Sequence, residues 1–119
     1  MTSVFKVDSG RCDKRTTITA ETAGPGRILI KISTNCAQVK LFGEALGELG
    51  IKDLTKHMMT NPVYVAADRT VGPECLVPCG VISAAWTEAG LVSKNLLKRY
   101  GTMSIDYVGE SLPDPQQAP

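Results

Sequence analysis

The sequence predicts an α+β fold, a four-stranded, mainly antiparallel sheet with helices packed on one face. Two observations carry this. Apolar and β-branched residues alternate with period two through the first third of the chain and again at residues 102–108, and the period between those stretches is helical. Short Gly-containing turns separate the early runs, which makes them a three-strand meander, and residues 102–108 are expected to complete the sheet as a C-terminal strand.

The first strand is expected at residues 3–9, around Val4, Phe5 and Val7. Ser9, Gly10 and Asp13 mark a turn. The second strand, residues 15–22, carries Thr16, Ile18 and Ala20 on one side and Thr17 and Thr19 on the other, a β-branched run suited to a sheet. Ala23-Gly24-Pro25-Gly26 is the next turn. It precedes a strand, so it is not a phosphate loop, which would open a helix. The third strand, residues 27–33, alternates Ile28, Ile30 and Ile32 with Leu29 and Lys31.

Thr34 or Asn35 is then placed to cap a helix beginning near Cys36, with Val39, Phe42, Leu46 and Leu49 on one face and Gly50 as its stop. A short helix is expected over residues 52–59. A further helix starts at Asn61-Pro62, with Asn as cap and Pro in the first turn, and runs to near Gly72. The last main helix runs from Pro78 to about Ala89, with Ile82, Ala85, Trp86 and Ala89 as its apolar face. In the C-terminal strand Met103, Ile105 and Tyr107 share a side and would join Ile28, Ile30, Ile32, Phe42, Leu46, Ile82 and Trp86 in one core.

With 119 residues, the chain is expected to form a single domain over residues 1–110, followed by a mobile Pro-rich tail at 111–119. The charge balance, 13 basic against 12 acidic residues, provides no electrostatic footprint for nucleic acid or an anionic membrane. Aromatic residues make up 5%, too few for a base-stacking platform. No secretory signal and no membrane-length apolar run is visible, so the expected location is cytoplasmic. Thiols are kept reduced there, which points cysteines toward metal or redox chemistry before a disulfide framework.

The chain has four cysteines, Cys12, Cys36, Cys75 and Cys79, all at expected element ends. Twenty-three, thirty-eight and three residues separate them in turn. One close pair and two singles is neither a zinc ribbon nor a ferredoxin run. In a meander, however, the first turn and the exit of the third strand lie at the same end of the sheet, so Cys12 and Cys36 can approach. Cys36 and Cys79 fall at helix starts, where free amides favour a thiolate, and Arg11, Lys14 and Arg15 surround Cys12.

Three functional classes follow. In the first, the protein binds an iron–sulfur cluster or zinc through Cys12, Cys36, Cys75 and Cys79. In the second, Cys75 and Cys79 form a thiol/disulfide redox pair. In the third, the domain is a non-enzymatic interaction or assembly module whose cysteines are structural and whose edge strands pair in a homodimer. No catalytic residue is assigned. His57, Asp13, Asp68 and Glu74 read as surface groups, and Ser9 and Ser83 lack a nucleophile-elbow context.

The segments Val7-Asp8-Ser9-Gly10-Arg11-Cys12, Ile32-Ser33-Thr34-Asn35-Cys36 and Glu74-Cys75-Leu76-Val77-Pro78-Cys79-Gly80, with Glu88-Ala89-Gly90-Leu91, resemble a family of small four-cysteine proteins of anaerobic archaea and bacteria. That family has no settled activity, so the resemblance implies no catalytic residue. The anaerobic setting favours iron–sulfur chemistry by association.

Overall fold

The structure, a computed structural model, describes residues 2–8 and 11–111. Strands β1 (Thr2–Val7), β2 (Thr16–Gly24) and β3 (Arg27–Thr34) form the expected antiparallel meander, and β4 (Glu48–Gly50) extends it in the order β1-β2-β3-β4. Phe5 pairs with Ile18 and Ile18 with Ile32, while Ile28 pairs with Leu49. One face therefore carries Ser3, Phe5 and Val7 from β1, Thr16, Ile18 and Ala20 from β2, and Ile28, Ile30 and Ile32 from β3. The opposite face is polar, with the Lys31–Glu21 ion pair at 3.3 Å.

Among the described residues five helices follow the meander: α1 (Ala37–Leu46), α2 (Ile51–Leu54), α3 (Pro62–Asp68), α4 (Val77–Glu88) and α5 (Lys94–Arg99). α4 lies over β1 and β2 and α1 over β3, both on the apolar face. The core between them holds Ile18, Ala20, Ile28, Phe42, Leu49, Val63, Val81, Ala84 and Ala85. Trp86 packs at its margin and its indole Nε1–H donates to the carbonyl of Leu54 at 2.8 Å, which ties α4 to α2.

Two sequence expectations change here. Residues 102–108 are not a strand: they run without regular structure, and Met103, Ile105 and Tyr107 are exposed. The fourth strand is instead Glu48–Gly50. Gly47, at φ +63°, ends α1 and reverses the chain, so Leu49 buries against β3 and not along a longer helix. The return needs only one residue, Gly47, between α1 and β4. The expected tail lies outside the described residues apart from Ser111.

α5, capped by the Ser93 hydroxyl accepting from the amide of Leu96, has no counterpart in the sequence prediction. Among the described residues, no helix is long and apolar enough to cross a membrane.

Candidate functional site

The meander sets the ends of β1, β2 and β3 next to the start of α4, and a cavity of about 360 Å³ opens there. Three of the four cysteines line it, and each arrives on a different segment. Cys12 stands on the exposed loop between β1 and β2. Cys36 is half-buried at the N-cap of α1, in extended backbone, where its thiol accepts no capping hydrogen bond. Its amide donates to Thr34 Oγ1 at 3.2 Å and its carbonyl accepts from the amide of Lys40 at 3.0 Å, so the backbone that carries the sulfur is held on both sides. Cys75 is half-buried in the loop before α4, and its amide donates to the Gly72 carbonyl at 3.1 Å.

Below these sulfurs the Thr16 and Thr34 hydroxyls share a hydrogen bond of 2.8 Å across β2 and β3. Val7, Val39 and Val77 give the cavity apolar walls. Arg11 and Lys14 bring positive charge to it, and Arg11 bridges to Glu74 at 3.1 Å. This ion pair links the Cys12 loop to the residue beside Cys75. Both partners are exposed, so it orients the loop more than it stabilises the fold. Arg15, the third cation expected beside Cys12, turns to Asp8 at 3.0 Å, and its amide donates to Asn35 Oδ1 at 2.9 Å.

Cys79 is placed differently. It is exposed, the third residue of α4, and lines a second cavity of about 570 Å³ with Tyr64 and Asp68 of α3. Cys75 lines both cavities. Burial, and then the charge of Cys79, raise the Tyr64 phenol above its ordinary range. The expected free amides around Cys79 are not all available. Gly80 N–H donates to the Leu76 carbonyl at 3.0 Å and closes the first helical turn. Nor does Gly80 open space for a ligand. It faces the sheet, where a Cβ would meet Val7 Cγ2 at 2.8 Å and Ile18 Cδ1 at 2.9 Å.

The structure thus brings together Cys12, Cys36 and Cys75 and sets Cys79 one turn away. Cys12, Cys36 and Cys75 line one cavity. Among the described residues no group of three or more His, Cys, Asp or Glu is arranged to hold a single metal ion. His57 is exposed beyond α2, where its carbonyl accepts from the amides of Thr60 and Asn61.

At the other end of α4 the sequence concealed a buried carboxylate. Glu88 is 7% exposed and accepts from Ser3 Oγ and Thr22 Oγ1, both at 2.8 Å, with Lys94 Nζ at 3.6 Å. Burial pushes its carboxyl up, but the two hydroxyls and the Lys94 charge outweigh that and hold it below the ordinary glutamate range. All its partners are satisfied, which marks a structural brace. Nothing at residue 88 announces it in the sequence, because its two hydroxyl partners lie 85 and 66 residues away.

A family model, described as a family of unknown function (DUF6951), matches residues 3–100. The chain belongs to this family. The matched span takes in all four cysteines and every strand and helix except the first residue of β1. No curated protein and no solved structure matches the chain.

Proposed function

We propose that this DUF6951 member is a metal-centre protein that binds an iron–sulfur cluster in the cavity lined by Cys12, Cys36 and Cys75. One observation carries the reading: three cysteines from three separate segments line one cavity of about 360 Å³. Thiolates are soft donors that select zinc, copper(I) or iron–sulfur clusters. A single zinc ion would need its sulfurs gathered around bonds of about 2.3 Å. A cluster takes thiolates on different irons, so its ligands surround a volume. The arrangement around a cavity favours the second case. Arg11 and Lys14 stand at the cavity, Arg11 paired with Glu74 and Lys14 with Asp13, and a cluster's negative charge would compete with these carboxylates for them. Cys79, on the neighbouring cavity, is outside the ligand set in this reading.

The test is anaerobic purification and reconstitution with iron and sulfide, followed by metal and sulfide analysis and a visible absorption spectrum. Cys12→Ser, Cys36→Ser and Cys75→Ser are each expected to lose most of the loading, while Cys79→Ser keeps it. Zinc at one ion per chain without sulfide would reassign the same thiols to a single ion. A fully folded protein that takes up neither metal would overturn the reading.

A further inference from the structure

Cys75 occupies a position that the other thiols do not, on the wall common to both cavities. It has Cys12 and Cys36 on one side and Cys79 on the other. We propose that Cys75 and Cys79 are a peroxide-sensitive dithiol whose disulfide withdraws Cys75 from the cavity it shares with Cys12 and Cys36. The consequence for cluster loading rests on the function proposed above, whereas the disulfide does not.

The local geometry favours this pair. Leu76, between them, is already in right-handed helical backbone at φ −83° and ψ −10°, so the turn from Cys75 to Cys79 is continuous with α4. Four helical residues rise about 6 Å, within the Cα separation of about 4.4–6.8 Å that a disulfide spans. Helical side chains tilt toward the N-terminus, which carries the Cys79 sulfur back over the turn that starts at Cys75. A disulfide inside a regular helix would be strained, but Cys75 precedes the hydrogen-bonded ladder, whose first bond here runs from Gly80 to Leu76. Its backbone can adjust without breaking that ladder. The two thiols also differ in access: Cys79 is exposed and Cys75 half-buried.

The chemistry divides accordingly. The Cys79 sulfur attacks one peroxide oxygen, the O–O bond breaks, and Cys79 becomes a sulfenic acid as one water leaves. The Cys75 sulfur then attacks the Cys79 sulfur, the S–O bond breaks, and a second water leaves with the Cys75 proton. Two thiols are oxidised to one disulfide and one peroxide is reduced to two waters. Bonded to Cys79, the Cys75 sulfur is no longer available on the first cavity.

The experiment uses the full-length, reduced, metal-free protein. It is treated with a small excess of hydrogen peroxide, blocked with a maleimide, digested with trypsin and mapped by mass spectrometry. Cys75 and Cys79 fall in one tryptic peptide, residues 70–94, separate from those of Cys12 and Cys36. That peptide is expected to lose two hydrogens and take up no maleimide, while Cys12 and Cys36 are labelled. In Cys75→Ser, Cys79 should accumulate as a sulfenic acid trapped by dimedone. A bridge from Cys75 to Cys12 or Cys36, or peroxide consumption that leaves both thiols of peptide 70–94 reactive, would overturn the proposal.

A second arm reconstitutes the oxidised and the re-reduced protein with iron and sulfide. Loading is expected to be lost on oxidation and regained on reduction. Equal loading of both forms overturns the withdrawal of Cys75. Loading of neither form, with the bridge intact, overturns the cluster and leaves the dithiol standing.

Discussion

At Gly80, α4 packs directly against the sheet. A methyl group there would sit 2.8 Å from Val7 Cγ2 and 2.9 Å from Ile18 Cδ1, so both side chains must shift, and Ile18 has to do so inside the fully buried core. Overpacking of this kind costs about 1–3 kcal/mol, against a gain of up to about 1 kcal/mol from replacing a helical glycine by alanine. Gly80→Ala is therefore expected to be a net destabilisation, read as a lower urea midpoint at unchanged slope. The sequence could not orient this helix, because α4 carries apolar residues nearly all round, from Val77, Val81 and Ala84 to Ile82 and Trp86. Without a single stripe, the sequence does not show which face of α4 Gly80 occupies.

Glu88 makes a different prediction. Its carboxyl is held below the ordinary glutamate value in the fold. Its contribution to stability is therefore full above the unfolded value of about 4.3 and is lost as pH falls through the folded value. Urea midpoints measured from pH 7 down to pH 3 should fall less steeply in Glu88→Gln than in the parent over the acid part of that range. Some slope should remain from Asp53, whose carboxyl is also held low, by Lys56 and then by the amide of Gly50.

At the level of elements, the meander was legible and the end of the sheet was not. Clean alternation over Ile28, Ile30 and Ile32 was enough to place β3, and the same alternation misplaced a strand at residues 102–108. A period of two states only that a segment suits a pleated surface; whether a sheet edge is offered to it depends on the path of the whole chain. Leu49 shows the converse. Its burial was foreseen, but on a helix face, since nothing before Gly47 reveals that the chain turns there into a three-residue strand.

The difference can be measured. Met103→Ser, Ile105→Ser and Tyr107→Ser remove side chains that are 72%, 84% and 83% exposed, and each is expected to change stability by no more than about 0.5 kcal/mol. A core strand would lose several times that. Asn61→Ala should behave in the opposite way. Asn61 is a polar side chain that is almost fully buried, accepts from the amide of Val63 to cap α3, and donates to the carbonyls of Asp53 and Lys56. Losing the cap costs about 1 kcal/mol, and leaving the Lys56 carbonyl without its donor adds roughly 1–3 kcal/mol, whereas the Asp53 carbonyl still accepts from the amide of Lys56. Thermal melts of Asn61→Ala and of the three serine variants, compared side by side, check both statements.

Across the whole molecule, α4 joins two sites of different character. Its first turn meets the thiol cavities and its last turn carries Glu88 against Ser3 and Thr22. Cys12 and Cys36 were placed together from the sequence because a meander fixes which strand ends are neighbours. Cys75 was not, because its position depends on how α4 crosses the sheet. The eleven-residue step from Val77 to Glu88 corresponds to about 16 Å of helix, and substitutions further apart than about 7–10 Å without shared partners add within roughly 0.5 kcal/mol. The two ends should therefore respond separately. Glu88→Gln is expected to lower stability and leave iron and sulfide loading unchanged, while Cys36→Ser removes loading with a smaller effect on the urea midpoint of the metal-free protein. The double variant should show the sum of the two stability changes and the loading of Cys36→Ser alone. A loss of loading in Glu88→Gln while it remains fully folded would mean that the brace at one end of α4 sets the geometry of the thiols at the other, so that the helix couples the two sites.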